Sequence, residues 1–145
     1  MGAQSQPEQT VWPVIVIVDD DPGIRESLSL CFEDAHYQVR EASDGIEALE
    51  ILHREMLPCV MLLDHMMAHL DGVGTLHRLV DMPADIQRRT SILFMTARSD
   101  PLDSTEEEFI QRVTFATVHK PFNLDPLLAL VAQAATRLIH GGSDV

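Results

Sequence analysis

Short apolar runs and amphipathic stretches alternate along the chain. Val14-Ile15-Val16-Ile17-Val18 is a continuous β-branched run that stops at Asp19, Asp20 and Asp21. A half-buried strand would alternate with a period of two, so the unbroken run predicts a strand covered on both faces, as in a parallel sheet. Asp21 followed by Pro22 supplies a helix N-cap and first-turn proline. Ile24, Leu28, Cys31, Phe32 and Ala35 then trace one apolar stripe of a helix. Tyr37 to Ala42 predicts a second strand, and Asp44 with Glu47 a capping box opening a helix through Ala48, Leu49 and Leu52.

The same alternation continues to the C-terminal end. Pro58 ends the second helix, and Val60-Met61-Leu62-Leu63 predicts a third strand stopping at Asp64. A helix over about 73–80 is weakened by Gly74, and 81–90, with Pro83, predicts a loop. Ser91 to Met95 is a fourth run, ending at Thr96. Ser104 with Glu107 predicts a capping box for a helix to about Arg112, and Thr114 to His119 a fifth strand ending at Lys120-Pro121. Leu124, Leu127, Leu128, Val131, Ala135 and Leu138 define a last helix before Gly141-Gly142. The expectation is a doubly wound (βα)5 fold with one parallel sheet and helices on both faces. Residues 13–140 form its domain, with a flexible tail at 1–12 and another at 141–145.

Composition narrows the function. At 145 residues a core needs no disulfide framework, and Cys31 and Cys59 read as small core residues rather than a C-x-x-C pair. The formal charge of −13 argues against direct binding of nucleic acid or an anionic membrane and favours a cation or a basic partner. With neither a long apolar run nor a signal-peptide pattern, the expectation is a cytoplasmic protein.

Candidate chemistry lies at the strand ends. In an open α/β sheet ligands bind outside the carboxyl ends of the strands, where the winding reverses. If the first and third strands are neighbours, Asp19, Asp20 and Asp64 converge there, and Thr96 and Lys120 approach from beside them. Three clustered carboxylates repel one another and call for a cation; oxygen ligands suit Mg²⁺. Metal, ammonium and hydroxyl together are equipment for phosphoryl transfer, with a carboxylate able to serve as nucleophile.

Four fragments carry a resemblance: Val16-Ile17-Val18-Asp19-Asp20-Asp21-Pro22, Leu62-Leu63-Asp64-His65-Met66-Met67 with Asp71-Gly72, Met95-Thr96-Ala97, and Lys120-Pro121-Phe122. Together, in this order, they resemble the receiver domains of two-component response regulators over residues 14 to about 138. The resemblance implies a flavodoxin-like strand order 2-1-3-4-5 and Asp64 as phosphoacceptor. It implies Mg²⁺ (or Mn²⁺ in its place) held by Asp20, Asp64 and the Met66 carbonyl, and by Asp19 through water. Thr96 and Lys120 would engage the phosphoryl group, with a cis bond before Pro121. The implied partners are a sensor histidine kinase or histidine phosphotransfer protein as phosphohistidine donor and a downstream protein target. As a stand-alone receiver it would turn over no substrate.

Departures from the family pattern are equally specific. Ala68 stands where proline is usual, Val113 and Thr114 where small residues are usual, and Thr117 where an aromatic ring usually couples to the threonine. Phe115 and His119 are the candidates to replace that ring. Met66 and Arg98 occupy positions that tune dephosphorylation and predict a long-lived phosphoryl state. His65 and His69 read as solvent-facing loop histidines rather than a metal pair, and Leu130 and Ala134 as a candidate homodimer surface. Two other functions compete: an unphosphorylated scaffold, favoured by Thr117, and an aspartate-nucleophile phosphatase, opposed by Met66 where such enzymes place a second aspartate.

Overall fold

The computed structural model describes residues 12–97 and 99–140. The expected tails, apart from Trp12, and Arg98 lie outside the described residues. Trp12 itself is docked, its ring edge-on to Tyr37 at 6.1 Å between centroids.

Five strands form one parallel sheet: β1 (Val14–Val18), β2 (Val39–Ala42), β3 (Cys59–Asp64), β4 (Thr90–Ala97) and β5 (Ala116–Lys120). Their order is β2-β1-β3-β4-β5, the expected doubly wound arrangement. Connecting them are α1 (Pro22–Asp34), α2 (Gly45–Arg54), α3 (Gly72–Leu79), α4 (Ala84–Arg88) and α5 (Ser104–Val113), with α6 (Leu124–His140) after β5.

The unbroken apolar runs follow from a core on each side of the sheet. Val14, Val16 and Val18 of β1 and Cys59, Met61 and Leu63 of β3 pack in one layer with residues of α2, α3, α4 and α5. Ile15, Ile17, Val60 and Leu62 point the other way, against Leu28 and Phe32 of α1 and Leu127 and Val131 of α6. Every residue of β1 and β3 is buried. At roughly 1.5–3 kcal/mol for each fully buried aliphatic side chain, register slips in these strands are strongly disfavoured.

Four local readings are corrected. The short helix α4 lies in the expected loop; it is a single turn with only Ile86 buried, too brief to show a helical period. The capping box of α5 is Asp103 with Glu106, not Ser104 with Glu107. Asp103 Oδ1 accepts the Glu106 N–H at 2.8 Å, which makes Ser104 the first helical residue. At α2 the box is only half formed: Asp44 Oδ1 accepts the Glu47 N–H, but Glu47 Oε1 takes the Ser43 N–H at 2.6 Å. Ala134 is fully buried against the sheet, and Leu130 packs beside the same layer, so Ala134 cannot line a dimer surface.

Candidate functional site

The site is assembled by register. Val18 pairs with Leu63, so the residues following them, Asp19 and Asp64, emerge side by side at the carboxyl edge. Asp64 pairs with Met95 and Ala97 with Lys120, which sets Thr96 and Lys120 along the same edge. The chain leaves β1 for β2 on one side and reaches β3 on the other, placing the crevice at the reversal of winding.

Carboxylate oxygens of Asp19, Asp20 and Asp64 lie within 4.8 Å of one another. Asp19 and Asp64 are buried, at 1% and 5% exposure, while Asp20 faces solvent. Lys120 Nζ donates to Asp64 Oδ1 at 2.6 Å and sits 3.5 Å from Asp19 Oδ2. Two further bonds brace Asp19. Its Oδ1 accepts the Asp21 N–H at 2.9 Å, and its carbonyl accepts from Arg25 Nη1 at 2.6 Å. Arg25, itself 3.4 Å from Glu41, lies outside the apolar stripe of α1, so no periodic signal in the sequence marks it.

Burial pushes the Asp64 carboxyl above its ordinary pKa, opposed by the Lys120 hydrogen bond and reinforced by the charges of Asp19 and Asp20. For Lys120, burial works against the ammonium, yet the hydrogen bond and charge of Asp64, with Asp19, outweigh it and raise the pKa. One ammonium, on Asp64 and Asp19, therefore stands against a cluster of three carboxylates. Hard oxygen donors carrying uncompensated negative charge make an acidic pocket able to bind a divalent metal ion. Met66, half exposed, lies two residues beyond Asp64 in the loop between β3 and α3.

Asp21 caps α1 rather than joining the cluster. Its Oδ1 accepts from Gly23 N at 2.9 Å and Ile24 N at 3.3 Å. The Lys120–Pro121 peptide bond is cis.

Around Thr96 the structure overturns one expectation. His65 is not a solvent-facing loop residue but buried, 3% exposed, its ring 5.3 Å from that of Phe94. The Thr96 hydroxyl lies 2.9 Å from His65 Nδ1 and 3.2 Å from Asp100 Oδ2. The same Asp100 oxygen is 3.3 Å from His65 Nδ1 and accepts the Ala97 N–H at 2.9 Å. That amide holds the Asp100 carboxyl below its usual range, assisted by the Thr96 hydroxyl and His65. His69, by contrast, is exposed, in left-handed backbone. A signal for His65 did exist: it continues the alternation of Met61 and Leu63, whose layer contains Phe94.

Thr117 and His119 are both exposed on β5 and line a cavity of about 190 Å³ with Thr96 and Phe94. Phe115 packs in the opposite layer, under the Arg137 guanidinium at 5.9 Å, and so does not stand in for the missing ring.

A doubly wound α/β protein with buried acids and a lysine at its switch point is thus defined by fold and site together. The family model of the response regulator receiver domain matches residues 15–132. Response regulator MprA of Mycobacterium leprae (strain TN) is 35% identical over 123 residues, 81% of this chain and 48% of that protein. MprA of Mycobacterium ulcerans (strain Agy99) is likewise 35% identical, over 79% of this chain and 47% of that protein. The chain therefore spans about half the length of the curated relatives it matches.

Solved structures agree. A CheY-like response regulator receiver domain protein from Methanospirillum hungatei JF-1 superposes with a TM-score of 0.76 at 25% identity, covering 87% of this chain and 96% of that one. A putative response regulator from Chloroflexus aurantiacus J-10-fl gives 0.72 at 28% identity, covering 86% and 99%. The chain belongs to the response regulator receiver family of two-component signalling, a family of signalling proteins rather than turnover enzymes. Among the described residues no helix is long and apolar enough to cross a membrane.

Proposed function

We propose that the protein is a phosphorylation switch that takes a phosphoryl group onto Asp64. The observation carrying this reading is the Lys120 ammonium 2.6 Å from a buried Asp64 carboxylate, with two further acids within 4.8 Å. The donor is a phosphohistidine on a sensor kinase or histidine phosphotransfer protein. An Asp64 oxygen attacks phosphorus, the O–P bond forms as the N–P bond breaks, and the imidazole departs with its electron pair and takes up a proton. Lys120 balances charge on the phosphoryl oxygens, and Thr96 supplies a hydroxyl donor once it turns toward them.

Asp19, Asp20, Asp64 and the Met66 carbonyl would hold Mg²⁺, or Mn²⁺ in its place. Bound there, the cation would neutralise negative charge on the clustered carboxylates and on the incoming phosphoryl oxygens. The protein acts on its own side chain only. It then signals by contact with a downstream protein through the face formed by α5, β5 and α6, with no direct role for nucleic acid or membrane.

Acetyl phosphate with Mg²⁺ should add one phosphate, read by intact mass, and Asp64→Asn or chelation should abolish it. Unmodified wild-type protein under those conditions overturns the proposal. The scaffold reading has Thr117 and the open cavity beside Thr96 in its favour; identical partner affinity of wild type and Asp64→Asn would select it.

A further inference from the structure

Thr96 has its hydrogen-bonding capacity committed away from Asp64. Among the described residues its hydroxyl meets His65 Nδ1 at 2.9 Å, Asp100 Oδ2 at 3.2 Å and the Ala97 carbonyl at 3.4 Å, and makes no hydrogen bond to Asp64. The donors and acceptors are consistent in one arrangement. An ionised Asp100 only accepts, so the Thr96 proton points to Asp100 and a proton on His65 Nδ1 points to the Thr96 oxygen and Asp100. That tautomer is assigned from the partners. Phe94 walls the imidazole on one side. The backbone tightens the ring from the other direction. Asp100 N–H donates to the Ala97 carbonyl at 3.0 Å, while Ala97 N–H donates to the Asp100 carboxylate.

Among the described residues no β5 side chain hydrogen-bonds the Thr96 hydroxyl, although His119, its partner in register, lines the same cavity. Thr117, directly across from Phe94 in register, leaves a cavity where a ring would press on Thr96. The side-chain partners of the threonine are instead the residue next to the candidate phosphoacceptor and Asp100, past the end of β4.

We infer that His65 and Asp100 are the positioning residues of Thr96, holding its hydroxyl in a resting orientation that a phosphoryl group on Asp64 must outcompete. The inference rests on the phosphoacceptor reading of Asp64. Asp100 and His65 give up Thr96 when the phosphoryl oxygens take it, so the cost of activation is set by this network instead of by an aromatic side chain on β5.

The test compares wild type with His65→Leu, His65→Asn and Asp100→Ala. The first readout is the Thr96 methyl signal by NMR in metal-free protein. The second is apparent affinity for beryllofluoride, a phosphoryl mimic, with Mg²⁺. His65→Leu and Asp100→Ala should move the resting methyl signal toward its beryllofluoride-bound position. They should also tighten beryllofluoride binding by roughly 2- to 10-fold, the equilibrium weight of one lost resting-state hydrogen bond. His65→Asn, whose amide offers a donor near the Nδ1 position, should stay close to wild type in both.

A fall in melting temperature with unchanged affinity and methyl signal would show a packing role only and overturn the inference, as would weakened beryllofluoride binding. Asp100 is partly exposed, so its variant keeps the test open if His65→Leu does not fold. Wild type that takes no beryllofluoride would instead sink the phosphoacceptor reading, while the metal-free methyl signal still reads the network.

Discussion

Asp20 is the solvent-facing member of the carboxylate cluster, and replacing it should change stability in opposite directions with and without metal. One of its oxygens lies within 4.8 Å of one from Asp64. At that separation two unit charges repel by about 1 kcal/mol at the dielectric of water and by roughly 3 kcal/mol at an effective dielectric near 20. Repulsion from Asp19, its chain neighbour, persists in the unfolded state and largely cancels, whereas the Asp64 contact is created by folding. Because Asp20 is exposed, the screened figure applies. Asp20→Asn should therefore stabilise the metal-free protein by about 1 kcal/mol, a rise of roughly 3 °C in Tm for a domain this size. The same change removes an anionic ligand. A roughly tenfold weaker Mg²⁺ affinity forfeits about 1.4 kcal/mol of ligand-linked stability at saturation. Differential scanning calorimetry in EDTA and in millimolar MgCl₂ should then show the variant melting above wild type in the first buffer and losing that lead in the second. Equal Mg²⁺-induced shifts in the two proteins would refute the assignment of Asp20 as a ligand, and an EDTA Tm no higher than wild type would refute the repulsion argument.

Other consequences are local. A Cβ on Gly72 would stand 2.5 Å from the Asp64 carbonyl oxygen and 2.8 Å from Phe94 Cε1, so Gly72→Ala should cost roughly 1–3 kcal/mol by urea denaturation and slow acetyl-phosphate labelling as the Asp64 backbone shifts. Asp103→Ala should lose about 1 kcal/mol by the same measurement, while Ser104→Ala stays within roughly half a kcal/mol, because the cap is Asp103. Burial pushes the Cys59 thiol from an ordinary 9.0 up to about 12. The native state thus retains a proton that the unfolded chain gives up, and this contribution to stability, complete below pH 9.0, is lost as pH rises toward 12. Native Cys59 should resist iodoacetamide at pH 8 and react in urea, read by peptide mass; rapid native labelling would contradict its burial.

The strands were legible because both faces of β1 and β3 are covered. An uninterrupted apolar run that stops at an acid and leads into a capped helix is the pattern a buried parallel strand leaves in a sequence. The convergence of Asp19, Asp64 and Lys120 was legible for the same reason: each sits where a strand stops, and parallel pairing brings such stops to one edge. What was not legible was short or lacked periodicity. A single turn such as α4 has no second turn to repeat its pattern, and Asp103 lost to Ser104 because two plausible caps are adjacent in the chain, only one of which bonds the N3 amide.

His65 is the instructive case. A histidine one residue past a strand, in a segment of irregular backbone, reads as exposed by residue type and location alone. The alternation of β3 does not end where the apolar run does, however. Position 65 keeps the facing of Met61 and Leu63, and His65 N–H still donates to the Met95 carbonyl at 2.9 Å, as the next rung of the β3–β4 ladder would. Extending the strand by one residue thus places an imidazole between Phe94 and Thr96, where a polar ring is tolerated because Thr96 and Asp100 satisfy Nδ1. The missing aromatic at position 117 and the buried histidine at 65 are then two sides of one arrangement: among the described residues no β5 side chain hydrogen-bonds Thr96, whose side-chain partners are His65, one residue past β3, and Asp100, past the end of β4. Restoring a ring should accordingly not restore the usual coupling. Thr117→Tyr is expected to extend into the 190 Å³ cavity and raise Tm, yet leave beryllofluoride affinity within about twofold of wild type while His65 and Asp100 hold the hydroxyl; a larger change in affinity would return control of Thr96 to β5.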